Sequence, residues 1–241
     1  MKDDLEQLLT NLHLGRIKEI LDAELAKARK GQITYEDFLA KLLREQYHHR
    51  LEKAMATRMQ QANIPEKWSL ESFPFKRQPG VNQRQIKEFA ELDFIPKAEN
   101  LVFIGPTGVG KTGLATGILL KAIQNGYRGL FIRAQDLFEE MFSSLADQSS
   151  RKLLDKYARY PVILIDEMGF LTLRPEQANI FFKLMSERYR RFPTILTTNL
   201  DYPAWGDFLG NPQMVEPLLS RMRHQCHTVR IEGPSLRDPQ G

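Results

Sequence analysis

Only one cysteine, Cys226, occurs in the 241 residues, so no internal disulfide can form and a disulfide-stapled secreted module is excluded. Its plain reading is a small buried side chain rather than a nucleophile. No stretch approaches the roughly 20 uninterrupted apolar residues of a membrane span. The opening Met1-Lys2-Asp3-Asp4 lacks the apolar core of a secretory leader, so the expected compartment is the cytoplasm, with no membrane partner. Neither an internal repeat nor a low-complexity tract is visible. A charge of one sign is lacking too: 34 Lys and Arg stand against 30 Asp and Glu, a net of +4. That balance permits nucleic-acid binding without demanding it.

No proline precedes Pro65, and apolar residues recur there at helical spacing: Leu5, Leu8, Leu9 and Leu12, then Ile17, Ile20, Leu21 and Leu25. Gly31 ends that pattern. Thr34 with Asp37 resembles a capping box, and Phe38, Leu42, Leu51, Met55 and Met59 carry a second helix that Pro65 closes. The breakers Pro74, Pro79 and Gly80 mark a linker over Ser69–Val81.

From about Asn100 the texture changes. Leu101–Ile104, Gly129–Arg133, Val162–Ile165 and Thr194–Thr197 read as short strands; Lys111–Asn125 and Pro175–Arg191 read as helices. Strands alternating with helices predict an α/β fold, a mostly parallel sheet between helical layers.

Gly105-Pro106-Thr107-Gly108-Val109-Gly110-Lys111-Thr112 lies between the first such strand and a helix. The spacing fits the phosphate loop, whose glycines let successive N–H groups converge on phosphate oxygens at a helix N-terminus. Lys111 would neutralise the β and γ phosphates, and Thr112 would offer its hydroxyl to Mg²⁺. A glycine-rich turn without a nucleotide is the lesser reading in that setting. The strand at Val162 ends in Asp166-Glu167, where a parallel sheet collects its ligand. Asp166 can hold the metal shell and Glu167 can orient or deprotonate an attacking water. Such an ending is common by itself, and it takes its meaning from the loop upstream.

The strand at Thr194 ends in Asn199, whose amide could position that water; a turn residue is the plain alternative. Near the end, Arg221 and Arg223 close a predicted helix. One of them could reach a neighbouring chain's γ-phosphate, Arg221 being favoured; the plain alternative is that both complement their own helix dipole.

Together, Gly105–Thr112, Ile165-Asp166-Glu167-Met168-Gly169, Arg188-Tyr189, Thr197-Thr198-Asn199, Trp205 and Ser220-Arg221 resemble the IstB group. These are ATP-dependent helpers encoded beside a transposase in one class of bacterial insertion sequence, similar to the helicase loader DnaC and the initiator DnaA. Thr34-Tyr35-Glu36-Asp37-Phe38-Leu39 extends the likeness into the helical part. The resemblance implies an AAA+ ATPase core, ATP-dependent self-assembly, binding of duplex DNA with little sequence preference, and delivery of that DNA to a transposase. The implied plan is a helical DNA-binding and oligomerisation module over 1–66, a linker and lead-in over 67–98, and an AAA+ core over 99–241 without a full C-terminal lid. Gly113 stands where the family usually has His, and Gly233-Pro234-Ser235-Leu236-Arg237 matches a family Gly-x-Ser-Tyr-Arg in part, leaving Arg237 a weak candidate for sensing nucleotide.

Binding DNA without base readout needs cations against phosphates. Lys41, Arg44, Arg50, Lys53 and Arg58 on the second helix are candidates, although a solvated helix face explains them equally well. His48-His49 has no further ligands at metal-binding spacing. Three rival readings share the loop: a helicase loader, a DNA-architectural protein switched by ATP, and a small-molecule kinase, which Glu167 disfavours.

Overall fold

In this computed structural model the described residues are 2–31, 33–66, 68–170, 173–210 and 212–237. The chain divides into two units after Thr57. The first holds α1 (Lys2–Asn11), α2 (Gly15–Lys30) and most of α3 (Tyr35–Gln61). One continuous helical pattern over residues 5–25 is interrupted because His13 takes a left-handed turn, φ 54°, between α1 and α2. Thr34 caps α3, its Oγ1 accepting from the Asp37 N–H at 3.1 Å. Leu9, Ile17 and Leu42 form a small core, and the buried Gln46 Oε1 accepts from the Ile17 N–H at 3.2 Å.

The second unit starts at the end of α3, where the Ala62 carbonyl accepts from the Phe131 N–H at 2.7 Å. The segment 67–98 carries α4 (Gln83–Ala90), capped by the Asn82 side chain, and buries Phe73, Ile86, Phe89 and Phe94 in the main core. Its prolines and Gly80 punctuate a packed strap.

β1 (Asn100–Ile104), α5 (Lys111–Gln124), β2 (Gly129–Arg133), α6 (Ala134–Ala146), α7 (Ser150–Ala158), β3 (Val162–Met168), α8 (Pro175–Arg188), β4 (Thr194–Thr198), α9 (Trp205–Leu209), α10 (Pro212–His224) and β5 (Cys226–Arg230) follow. The five strands form one sheet in the order β2-β3-β4-β1-β5, and every pairing is parallel. The period of 2 splits each strand between two cores. Leu101, Phe103, Leu164 and Ile195 face α4 and α5; Val102, Ile104, Ile165 and Leu196 face α6, α8 and α10. Both faces are covered, as a parallel sheet requires.

Two further differences have local causes. The helix from Pro175 ends at Arg188 instead of Arg191, because Tyr189 leaves helical geometry at ψ 126° and Arg190 turns to φ 56°. Strand β5 adds an edge that the sequence pattern did not reveal. Among the described residues no helix is long and apolar enough to cross a membrane.

Candidate nucleotide site

The carboxyl ends of β1, β3 and β4 lie side by side, where open α/β sheets gather ligands. From β1 the chain enters the loop Gly105–Gly110 and then α5. Gly110 needs its missing side chain twice: its φ is +96°, and a Cβ there would come within 2.7 Å of the Phe73 ring. Lys111 is buried and donates to the carbonyls of Gly105 at 2.8 Å and Pro106 at 2.6 Å. Burial lowers its pKa, opposed by Asp166 and Glu167, while Arg237 lowers it further. A desolvated ammonium gains most from an anion brought beside it.

Thr112 Oγ1 donates to Asp166, 2.9 Å from Oδ1 and 3.1 Å from Oδ2. Thr197, on β4, donates its hydroxyl to Asp166 Oδ1 at 2.5 Å and accepts the Glu167 N–H at 2.9 Å. One hydroxyl thus holds the Asp166 carboxylate and the Glu167 backbone. The β3–β4 register shifts between Ile165 and Met168, and Glu167 takes a left-handed φ of 62°. A bulge of this kind re-aims side chains at a strand end, and a non-glycine residue held there costs about 1–3 kcal/mol. It leaves Asp166 buried and Glu167 exposed.

A cavity of about 560 Å³ opens over these groups, lined by Lys111, Thr112, Asp166 and Glu167 among others. That volume lies within the range of small-ligand sites. The tail after β5 borders it. Leu236 N–H donates to the Gly108 carbonyl at 2.9 Å, and Gln78 Nε2 ties Val109 to Pro234 through bonds of 3.1 and 3.0 Å to their carbonyls. Arg237 thereby reaches the cavity beside Lys111. Thr112 and Asp166 supply hard oxygen donors within hydrogen-bond distance of each other, a set that fits magnesium completed by phosphate and water.

Burial pushes the Asp166 carboxyl above its ordinary range, against the pull of Thr197 and Thr112. Asp166→Asn is therefore expected to raise the Tm of the nucleotide-free protein at neutral pH. Its amide oxygen keeps both hydroxyl bonds, and the buried charge is gone. A carboxyl raised in the folded state favours folding while protonated, and that contribution is lost as pH climbs through the raised value. Thermal melts between about pH 8 and about pH 4 should show variant and parent converging on acidification; a gap independent of pH would contradict this origin.

The other candidates lie farther out. Asn199 is exposed at the end of β4, its Oδ1 close enough to Gly169 that a Cβ there would lie 2.9 Å away. It flanks the turn after Glu167 without lining the cavity. Arg221 donates to Ser186 Oγ at 2.8 Å and shares a crevice with Asn100, at the opposite end of β1 from the loop. Arg223 sits over the Tyr202 ring at 5.3 Å. Neither arginine lines its own chain's cavity. Of the proposed DNA contacts, Lys41 pairs with Glu24, Arg50 donates to the His13 carbonyl at 3.1 Å, and the Arg58 Nε is buried; Arg44 and Lys53 are exposed. Arg188 and Trp205, both in the resemblance, are core residues. Arg188 is 1% exposed and donates to the carbonyls of Tyr157, Tyr160 and Pro193. In the sequence Thr197 stands out only as part of the family motif, with no role of its own; the signal available was a hydroxyl at the carboxyl end of β4, beside the acids that end β3.

The model of the IstB-like ATP binding protein family matches residues 7–240. The chain belongs to that family. It is 32% identical to the ATP-binding protein of insertion sequence IS21 from Pseudomonas aeruginosa, over 97% of this chain and 88% of that one. Identity is also 32% to the corresponding protein of IS5376 from Geobacillus stearothermophilus, covering 98% and 94%. Among solved structures, DnaI aligns with a TM-score of 0.59 at 24% identity, covering 68% of this chain and 90% of that chain. The DnaC helicase loader aligns with a TM-score of 0.54 at 24% identity, covering 62% and 88%. AMPPCP-bound DnaA from Aquifex aeolicus gives 0.58 at 22%, covering 70% and 51%. These likenesses establish the AAA+ type of fold for this IstB-like chain, whose family is one of ATP binders.

Proposed function

We propose that this IstB-like protein binds ATP with magnesium, hydrolyses it to ADP and phosphate, assembles into an oligomer on duplex DNA, and presents that DNA to a partner transposase in the cytoplasm. The observation that carries the ATPase reading is the Thr112–Asp166–Thr197–Glu167 hydrogen-bonded chain beneath the phosphate loop. In this reading Lys111 leaves the loop carbonyls for the β and γ phosphates, and Arg237 adds a second cation from the same chain. Magnesium, when bound by Thr112 and Asp166, neutralises charge on the phosphate oxygens. Glu167 holds a water in line with the γ-phosphorus and takes its proton as the water oxygen bonds to phosphorus and ADP departs. Asn199 steadies the water, and Arg221 of a second copy stabilises the charge on the transferring group.

The insertion-sequence relatives, at about a third identity over nearly the whole chain, support the transposition role. The helicase-loader reading rests on fold likeness alone. Lys111→Ala is expected to weaken ATP binding by roughly 100-fold, the scale of losing a charge-assisted contact to phosphate. Isothermal calorimetry with ATP and magnesium checks it, and unchanged affinity would remove the loop from the proposal.

A further inference from the structure

The phosphate-binding groups occupy one end of the cavity and leave the other unused. Thr112 turns its hydroxyl to Asp166, whereas its neighbour Gly113 looks toward Trp68: a Cβ on Gly113 would sit 3.6 Å from the indole. A triphosphate with its last phosphate beside Asp166 and Glu167 must leave the loop past Gly113, carrying sugar and base toward that indole. Trp68 lines the same cavity and is 41% exposed, although an indole gains more than most side chains from being covered. Of the other aromatic groups lining the cavity, Phe73 and Phe131 are buried, Phe73 packing edge-on to Phe75 at 4.8 Å, and Phe170 is exposed three residues after Glu167, on the hydrolytic side. Among the described residues, Trp68 is the half-exposed aromatic group of the cavity beside the first turn of α5, where the base must lie.

We propose that Trp68 stacks on the nucleobase and so adds the base's contribution to an affinity otherwise set by the phosphates. This rests on the nucleotide reading above. Because every base has a π-face, the contact favours a nucleotide over bare polyphosphate without choosing strongly between purines.

The chain has a built-in probe, since its second tryptophan, Trp205, is fully buried and supplies a constant background. Full-length protein is titrated with ATP, GTP and inorganic tripolyphosphate, each with magnesium, by tryptophan fluorescence and calorimetry. ATP and GTP should quench Trp68 emission, and tripolyphosphate should bind without quenching. Trp68→Ala should weaken both nucleotides by about tenfold and leave tripolyphosphate unchanged, and Trp68→Phe should recover most of the loss. Nucleotide affinity unaffected by Trp68→Ala would overturn the proposal, as would an equal loss for tripolyphosphate, which signals damage to the loop. Lys111→Ala separates the two readings: if it spares all three ligands, the phosphate site itself is wrong, whatever Trp68 does.

Discussion

Arg221→Ala is expected to cut ATP turnover by about 10³–10⁵-fold, the range of a trans-acting arginine, while leaving ATP affinity of the isolated chain nearly unchanged. Arg221 lies at the amino end of β1 and the phosphate loop at its carboxyl end. At ~3.3 Å per residue the five residues of that strand hold them roughly 16 Å apart. The arginine cannot serve its own phosphate, but a second copy can receive it. Among the described residues it donates to Ser186, an exposed bond that costs little to exchange. Arg223 would have to leave its stack on Tyr202. Mixing decides between cis and trans action: Arg221→Ala chains keep the loop, Lys111→Ala chains keep the arginine, and together they should recover part of the turnover. No recovery, or an equal loss from Arg223→Ala alone, would move the assignment.

Glu167→Gln should retain ATP binding and lose turnover by about 10²–10⁴-fold, as expected for a general base. The amide matches the carboxylate in size, so the left-handed backbone and the bond to Thr197 persist. What is lost is the ability to accept the water's proton. Single-turnover phosphate release measures this directly, and a rate near the parent's would assign the base elsewhere.

Why some of this was readable from the chain alone follows from range. The phosphate loop is a local motif whose chemistry sits in consecutive residues, and Leu101–Ile104 and Val162–Ile165 announce buried strands by unbroken apolarity. The place of Asp166 and Glu167 at the carboxyl edge of the sheet was legible because they follow such a strand. What the pattern hid depends on distant contacts. Strand β5, Cys226-His227-Thr228-Val229-Arg230, is a half-exposed edge whose polar residues break any apolar run. The double role of Thr197 needs the β3–β4 register. Trp68 reaches the cavity from the strap before β1, and no spacing rule joins it to the phosphate loop; Arg237 was a candidate only through the partial family motif. The segment Ser69–Val81 read as a linker because its prolines are local signals, while the burial of Phe73 and Val81 is tertiary.

ATP-driven assembly on DNA is the central claim, and sedimentation of the Glu167→Gln protein with ATP and magnesium, with and without random-sequence duplex DNA, tests it most directly. A large particle of defined size that appears only when ATP and DNA are both present is the predicted result. A protein that stays monomeric in every condition would contradict it, and with it the action of Arg221 across an interface.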